Sequence, residues 1–409
     1  MRLLFISNLY EPYARGGAEV VVKRSIEAAR AAGHEVALLT ARPWRHGGRL
    51  RVKVSHDHGF ATYSLYPANL FFYGDDYKHS YAMRALWHLL DIGNRPVARQ
   101  VRRVLYEFKP DVVITHNLMG LGFAIPAEIA RAGIRHVHVL HDIQLAVRRG
   151  VMLHGQEHRF DTDGLLARAY QACTRRQFGS PDLVLAPSQF LLKFYEHLNF
   201  FPHSLRLVLR NPIDARFFQT KPTMADQFRV LFVGQLVEHK GVRLLQRVWD
   251  RFQANHPGQV HCTVVGDGAE RAQLKHWAKQ GQDRQALGRI ANESLPAVYA
   301  QSDLLVLPTL TYENAPTVVY EAMACGVPVC VSDIGGSAEP VQDGVSGFVV
   351  PPGDETALLA TLETAFARRS EWAALRLAAK KAVQGQDDQS YINSLLNLIN
   401  EKEPRQSDR

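Results

Sequence analysis

The sequence predicts an α/β protein of two doubly wound parallel-sheet domains, and three stretches carry that prediction. Residues 2–7 form an apolar strand. Asn8–Arg15 is a loop, and Gly16-Gly17-Ala18-Glu19 opens a helix that reaches Gly33 before a strand at Glu35–Thr40. The pattern starts again at 228: strand Phe228–Val233, loop Gly234–Gly241, a helix to about Ala254, then strand Val260–Val265 ending at Gly266-Asp267-Gly268. Residues 303–331 give a third run, with strand Leu304–Leu307, a polar loop carrying Glu313, a helix through Glu321 that stops at Gly326, and strand Val327–Val331. Strand–loop–helix–strand runs are right-handed crossovers between parallel strands. Such sheets bind ligands at the carboxyl ends of their strands.

The first run lacks the Gly-x-Gly-x-x-Gly fingerprint, which argues against a dinucleotide cofactor. Two glycines at a helix start let backbone approach a phosphate closely, or serve only a tight turn. Residues 42–60 are irregular and basic, with Arg42, Arg45, Arg49, Arg51 and Lys53. One helical stretch is expected over roughly 77–107, with Trp87, Leu89, Leu90 and the cluster Arg95, Arg99, Arg102, Arg103. A basic amphipathic helix with a tryptophan can lie on an anionic membrane; equally, it can face a core with its arginines in water. The strands at 111–115 and 135–140 end at His116-Asn117 and His141-Asp142, where histidines can be functional or structural. Strand 182–186 precedes a helix capped by Ser188, and strand 205–209 leads to Arg210-Asn211-Pro212-Ile213-Asp214.

The first domain thus covers 1–214, and the polar stretch 215–227 reads as a linker. The second domain covers 228–385. Helices are expected at 354–368, 370–384 and 388–400, with residues 386–409 forming a final helix and a polar tail.

Length and composition agree. The 409 residues suit two or three domains. Forty-eight basic against 40 acidic residues, net +8, favour anionic ligands or anionic lipid but form no concentrated stripe for nucleic acid. Cys173, Cys262, Cys325 and Cys330 show no metal-ligand spacing, which reads as a reducing compartment without disulfides. No apolar stretch approaches the roughly 18 residues of a membrane span, and the apolar start is too short for a signal sequence. The expected location is the cytoplasm, with contact at the inner face of the membrane as an option.

The chemistry concentrates in the second domain. Glu313 leaves a strand end, and Glu321 lies eight positions on, in the helix leading away, so two carboxylates are expected at one crevice beside free helix-start amides. Carboxylates accept hydrogen bonds from hydroxyls, and helix-start amides hold phosphates. A ligand with sugar hydroxyls and phosphate would fit. Pro316 falls where a first helical turn accepts proline. Lys240, in the loop after the domain's first strand, suits a phosphate leaving group, or is a solvated turn residue.

Glu313, seven residues, Glu321 and then Ala-Met-Ala-Cys-Gly-Val-Pro-Val resemble the glutamate-pair motif of the group 1, or family 4, retaining glycosyltransferases. The likeness continues through Ser332-Asp333-Ile334-Gly335-Gly336, Asp343–Gly347 and Pro351-Pro352-Gly353-Asp354. It implies a GT-B fold, two Rossmann-like domains facing a central cleft. The acceptor would bind the first domain, whose segment 42–105 varies, and a nucleotide sugar the second. The last helix would cross back to the first domain.

The resemblance assigns catalytic roles to Glu313, Lys240 and His141, with His141 at the donor sugar. It assigns donor binding to Gly16, Gly17, Gln235, Gly266, Arg289, Ile290, Asn314, Ala315, Thr317, Val318 and Glu321. Lys240, the amides near Thr317 and Val318, and the Gly16–Gly17 amides would face the diphosphate. Glu313 would hold donor-sugar hydroxyls, and Glu321 the ribose. No Asp-x-Asp motif holds a metal, so neither metal nor cofactor is expected. Partners would be the nucleotide sugar and a glycan or lipid-linked acceptor, with polysaccharide assembly the family-level role.

Two positions depart from the family: Gln235 replaces a common arginine, with Arg210 or Arg15 as substitutes, and Pro316 replaces a common glycine. The Gln235 departure keeps a non-catalytic nucleotide-sugar-binding protein open. A sugar-nucleotide 2-epimerase shares the architecture and stays open too.

Overall fold

The computed structural model describes residues 1–14, 16–44, 51–158, 162–223 and 225–401, with backbone alone at Tyr77. Arg15, Arg45, Arg49 and the tail beyond 401 therefore lie outside the described residues. The chain divides into two compact units: Met1–Val151, His158–Pro212 and Asp388–Arg409 form one, and Met152–Glu157 with Ile213–Asp387 form the other.

Apolar runs without alternation mark strands covered on both faces, and the first unit is built on these. Its strands are β1 (Arg2–Ser7), β2 (Glu35–Ala41), β3 (Lys53–Ser55), β4 (Ala61–Leu65), β5 (Val112–Thr115), β6 (Arg135–Val139), β7 (Leu183–Ala186) and β8 (Leu205–Val208). They form one sheet in the order β3-β4-β2-β1-β5-β6-β7-β8, parallel throughout except that β3 runs antiparallel to β4. The basic segment after residue 50 thus supplies a sheet edge that its sequence did not suggest. The helices are α1 (Gly17–Ala31), α2 (Tyr81–Ile92), α3 (Arg95–Phe108), α4 (Ile125–Arg131), α5 (Leu165–Phe178) and α6 (Gln189–His197).

The single helix expected over 77–107 is two. Gly93 closes α2, and Asn94 caps α3 by accepting from the Val97 amide (3.4 Å), with a proline in the first turn. Trp87 is a core residue, 2% exposed. Its indole donates to the Phe71 carbonyl (2.8 Å) and stacks on Phe71 and Tyr73, so it is no interfacial anchor. On α3, Val97, Val101, Val104, Leu105 and Phe108 are buried, while Arg95, Arg99, Arg102 and Arg103 are exposed. α3 is the core-facing helix with solvated arginines.

The second unit contains α7 (Ala215–Gln219), α8 (Val242–Asn255), α9 (Arg271–Ala278), α10 (Leu295–Ala300), α11 (Thr317–Ala324), α12 (Glu355–Ala367) and α13 (Trp372–Ala382). Strands β9 (Phe228–Val233), β10 (Val260–Val265), β11 (Arg284–Gly288), β12 (Leu304–Leu307), β13 (Val329–Ser332) and β14 (Gly347–Val350) pair in the order β11-β10-β9-β12-β13-β14. All five pairings are parallel. The stretch 215–227, expected as a linker, opens with α7, which Asp214 caps by accepting from the Arg216 amide (2.9 Å). Phe217 of α7 is fully buried in the core of this unit and packs on Tyr299.

The last helix, α14 (Asp388–Asn400), belongs to the first unit. Its Ile392, Leu395 and Ile399 join the core formed by Val22 and Ile26 of α1 with Leu3 and Phe5 of β1. Arg24 donates to the Pro212 carbonyl (3.1 Å) and pairs with Asp388 (3.9 Å), tying both chain passages to α1.

Candidate active site

In the second unit the sheet order reverses between β9 and β12: β10 lies on one side of β9, and β12 on the other. Loops leaving two such strands diverge and leave a crevice at their carboxyl ends, the usual ligand site of an open parallel sheet. Lys240 lies on the loop after β9, and Glu313 on the loop after β12. The Lys240 ammonium donates to the Glu313 carboxylate, and both side chains are largely shielded from water. Thr309 donates to the same carboxylate oxygen (3.2 Å).

Backbone contacts hold the two loops together. The His239 carbonyl accepts from the Leu310 amide (2.8 Å) and from the Thr309 and Thr311 hydroxyls (3.3 Å each). Gly241, at φ 79°, passes so close to Pro308 that a Cβ would lie 1.8 Å from its carbonyl oxygen. Gly335 and Gly336 close the other side. A Cβ on Gly335 would lie 2.4 Å from the Glu313 oxygen, and the Gly336 amide donates to that oxygen (2.6 Å). Residues 152–157 add a further layer: Leu153 bridges Thr311, the His154 amide donates to Leu310 (2.8 Å), and the Tyr312 hydroxyl donates to Glu157 (2.8 Å). Nothing local in 152–157 announces that long-range pairing.

The remaining expected residues of this unit take distinct places. Thr317 and Val318 are the first two residues of α11, whose opening amides have no partner within the helix. Pro316 stands just before them as the cap residue and not within the first turn. Asn314 and Ala315 are half-buried on the Glu313 loop, and Gln235 is exposed on the β9 loop. Gly266 ends β10 against the β9 loop, its absent Cβ 1.8 Å from the Gly234 carbonyl oxygen. Arg289 and Ile290 follow β11, the arginine exposed and Ile290 packed on the core. Glu321 does not repeat the setting of Glu313. It is 6% exposed and accepts from the Tyr299 hydroxyl (3.2 Å). One carboxylate therefore faces a lysine at the loop, and the other a buried phenol. His239 is held below the ordinary imidazole range by burial and by Lys240.

The first unit has its own reversal, between β1 and β5. The loops after these strands meet where the Asn8 amide donates to the Asn117 carbonyl (2.8 Å) and the Asn8 side chain to Met119 (2.8 Å). His141, at the end of β6, shares a 2.8 Å hydrogen bond with His116. Burial lowers His141 to about 4 and His116 well below its usual range, so the pair is neutral at pH 7. Desolvation raises the neighbouring Asp142 to about 6. The glycine pair differs from its expected role: the Gly16 amide already donates to the Glu19 carboxylate (2.7 Å). Gly16 caps the helix with Glu19 as its acidic partner, a Gly-x-x-Glu spacing legible in the sequence. Of the two amides, only that of Gly17 remains for a ligand.

Two doubly wound parallel-sheet units, one with a lysine–glutamate pair at its switch point, define a GT-B protein. Solved GT-B structures share the fold across nearly the whole chain. Sucrose-phosphate synthase from Thermosynechococcus elongatus superposes with a TM-score of 0.73 at 20% identity, covering 97% of this chain and 98% of that one. Anabaena HepE in complex with UDP gives 0.70 at 20% identity, covering 98% and 100%. Residues 15–217 match the profile of glycosyltransferase family 4, and residues 214–382 match that of the glycosyl transferases group 1. The chain belongs to the group 1 glycosyltransferases. Among curated relatives, glycogen synthase of Mycobacterium tuberculosis is 27% identical over 374 residues, 89% of this chain and 86% of its own. A 42.6 kDa protein of the cps region of Klebsiella pneumoniae is 24% identical over 343 residues, 83% and 87% of the two chains.

Proposed function

We propose that this glycosyltransferase moves a hexosyl group, with retention and without a metal, from a nucleoside-diphosphate sugar to a glycan or lipid-linked acceptor. The observation that carries this reading is the Lys240–Glu313 pair at the β9/β12 switch point, beside the opening amides of α11. Solved relatives of this fold hold UDP and UDP-glucose.

In the reaction the bond from the anomeric carbon to the diphosphate oxygen breaks, and its electron pair leaves with the phosphate. The acceptor hydroxyl bonds to the same face of the sugar, and its proton passes to the departing phosphate oxygen. Lys240 would stabilise the growing phosphate charge, as an oxyanion hole does. The α11 amides at Thr317 and Val318 would share that charge, and the Gly17 amide is the first unit's own candidate phosphate donor. Glu313 would hold Lys240 in place and accept from donor-sugar hydroxyls, with Glu321 serving the ribose. His141, neutral beside His116, is the first unit's own candidate for a sugar contact, as donor or acceptor of a hydrogen bond.

Thermal unfolding with UDP, GDP, ADP and dTDP, chelator present, tests this. A nucleotide at about a hundred times its dissociation constant adds roughly 2.7 kcal/mol. One nucleotide should shift the wild type selectively and shift Lys240→Ala clearly less. No shift with any of them removes the donor assignment. The anomeric configuration of the product, read by NMR, tests retention.

The exposed Gln235 favours the second reading, a nucleotide-sugar-binding protein without turnover. Neither candidate substitute is among the described residues of the second unit: Arg210 belongs to the first unit, and Arg15 lies outside the described residues. Nucleotide binding without transfer or donor hydrolysis would select this reading.

A further inference from the structure

We propose that the α2–α5 face of the first unit docks the protein peripherally on an anionic lipid bilayer. α2 buries only Trp87 and Asp91 of its twelve residues. Its outward side carries Tyr81 (79% exposed), Met83, Leu86, Leu89 (68%) and Leu90, and the first turn of α5 adds Leu165 (84%) and Leu166 (66%). A surface helix on a soluble domain normally turns polar residues outward, as α3 does a few residues later. Large exposed apolar patches of this kind mark interaction surfaces.

Ala85, Leu89 and Ile92 of α2 and Leu166, Ala169 and Cys173 of α5 line an open groove of about 280 Å³. Through Ala85, His88 and Arg148 it adjoins a second cavity of about 410 Å³ that holds Arg84 and Arg149. Among the described residues lining the two cavities, the one acid is Asp76, which pairs with Arg84 (3.3 Å). Arg148 is exposed and makes no hydrogen bond or ion pair among the described residues. His88 stands between the cavities and is lowered to about 4 by burial and by Arg148, so the positive rim is arginine.

Protruding leucines beside the Arg148 guanidinium, on a rim of arginines with one acid, need hydrocarbon and negative charge at one place. An anionic bilayer supplies both, taking apolar side chains into its acyl boundary and arginines against its headgroups. No helix of the described residues is long and apolar enough to cross a membrane. Contact would therefore be interfacial, and donor binding by the second unit is independent of it.

The test is flotation of the full chain with phosphatidylcholine vesicles, with and without phosphatidylglycerol, at low and high salt. The wild type should float only with the anionic vesicles and should sink at high salt. Leu89→Asp with Leu165→Asp should abolish flotation, and Arg148→Glu with Arg149→Glu should weaken it by at least roughly thirtyfold. Unchanged thermal unfolding would show that these exposed substitutions leave the fold intact. Failure of the wild type to float, or flotation equal in the leucine variant, overturns the proposal. So does a dimer, seen by light scattering, that Leu89→Asp with Leu165→Asp dissociates while vesicles bind neither protein.

Discussion

Gly335 packs directly on the backbone of Glu313: a Cβ at Gly335 would lie 2.4 Å from the Glu313 carbonyl oxygen and 2.7 Å from its nitrogen. With φ at 62°, the position also sits in the left-handed region that glycine tolerates best. Gly335→Ala should therefore destabilise the second unit by about 1–3 kcal/mol. It should also weaken nucleotide binding, because the Glu313 loop must shift. Urea unfolding and a nucleotide titration check this. Unchanged affinity would mean that the glycine turn does not set the position of Glu313.

Lys240 and Glu313 should separate when each is removed. Lys240→Ala takes away the cation meant for the departing phosphate, so both nucleotide affinity and turnover should fall. A charged hydrogen bond of about 1.5–3 kcal/mol corresponds to roughly ten- to more than a hundredfold. Glu313→Gln keeps the side-chain shape and one acceptor for Thr309, so nucleotide binding should persist while sugar transfer fails. The pair is largely shielded (side chains 23% and 13% exposed), and the cost of desolvating both charges keeps its net worth to stability small. Isothermal titration with the nucleotide, alongside a turnover assay, measures both. Full turnover by a folded Lys240→Ala protein would remove the lysine from the mechanism.

The order of strands and helices was legible because buried parallel strands are short apolar runs and their helices start and stop at glycine, serine and proline. Lys240 and Glu313 were legible for the same reason, since each follows a strand end. What the sequence hid is long-range. Residues 152–157 carry no signal that they pair with Leu310–Tyr312, and Glu321 gave no sign that Tyr299 would claim it. Gly335-Gly336 reads as part of a motif, and only the packing shows it bracing the Glu313 backbone. The break at Gly93-Asn94 and the Gly16–Glu19 cap had local signals in the capping residues themselves. The polarity of 215–227 masked Phe217, because one buried ring does not alter the average of a thirteen-residue window.

Phe217 supplies a direct test of where the second unit begins. The ring is fully buried in that unit's core, so Phe217→Ala should cost about 3–5 kcal/mol. A linker residue would cost almost nothing. Lys221→Ala, at an exposed position in the same stretch, serves as the comparison. Equal unfolding midpoints for the two variants would place Phe217 outside the core.

Acid should unfold the first unit through its histidines. His136 and His138 both bond to the Thr115 hydroxyl (2.7 and 2.9 Å), and His116 bonds to His141. Burial lowers His136 to about 3 and His141 to about 4, and it holds His116 and His138 well below their usual range. An unfolded histidine titrates near 6.5. The stability these four contribute is therefore present above about pH 6.5 and is lost as pH falls through that value toward 4. Asp91 and Asp142 act with the opposite sign. Desolvation raises them to about 7 and about 6, so their contribution is full at low pH and is lost as pH rises through those values. As pH falls below 6.5 the unfolded chain takes up protons on these four histidines and on His88, which is lowered to about 4, and it releases protons from only the two aspartates. The net uptake of protons on unfolding makes stability fall as pH falls through this range. Urea unfolding of the full chain at pH 7, 6 and 5 should show falling midpoints. His136→Gln, which can still bond to Thr115, should flatten the slope. A midpoint that rises toward pH 5 would mean that the aspartates, and not the histidines, govern the acid limb.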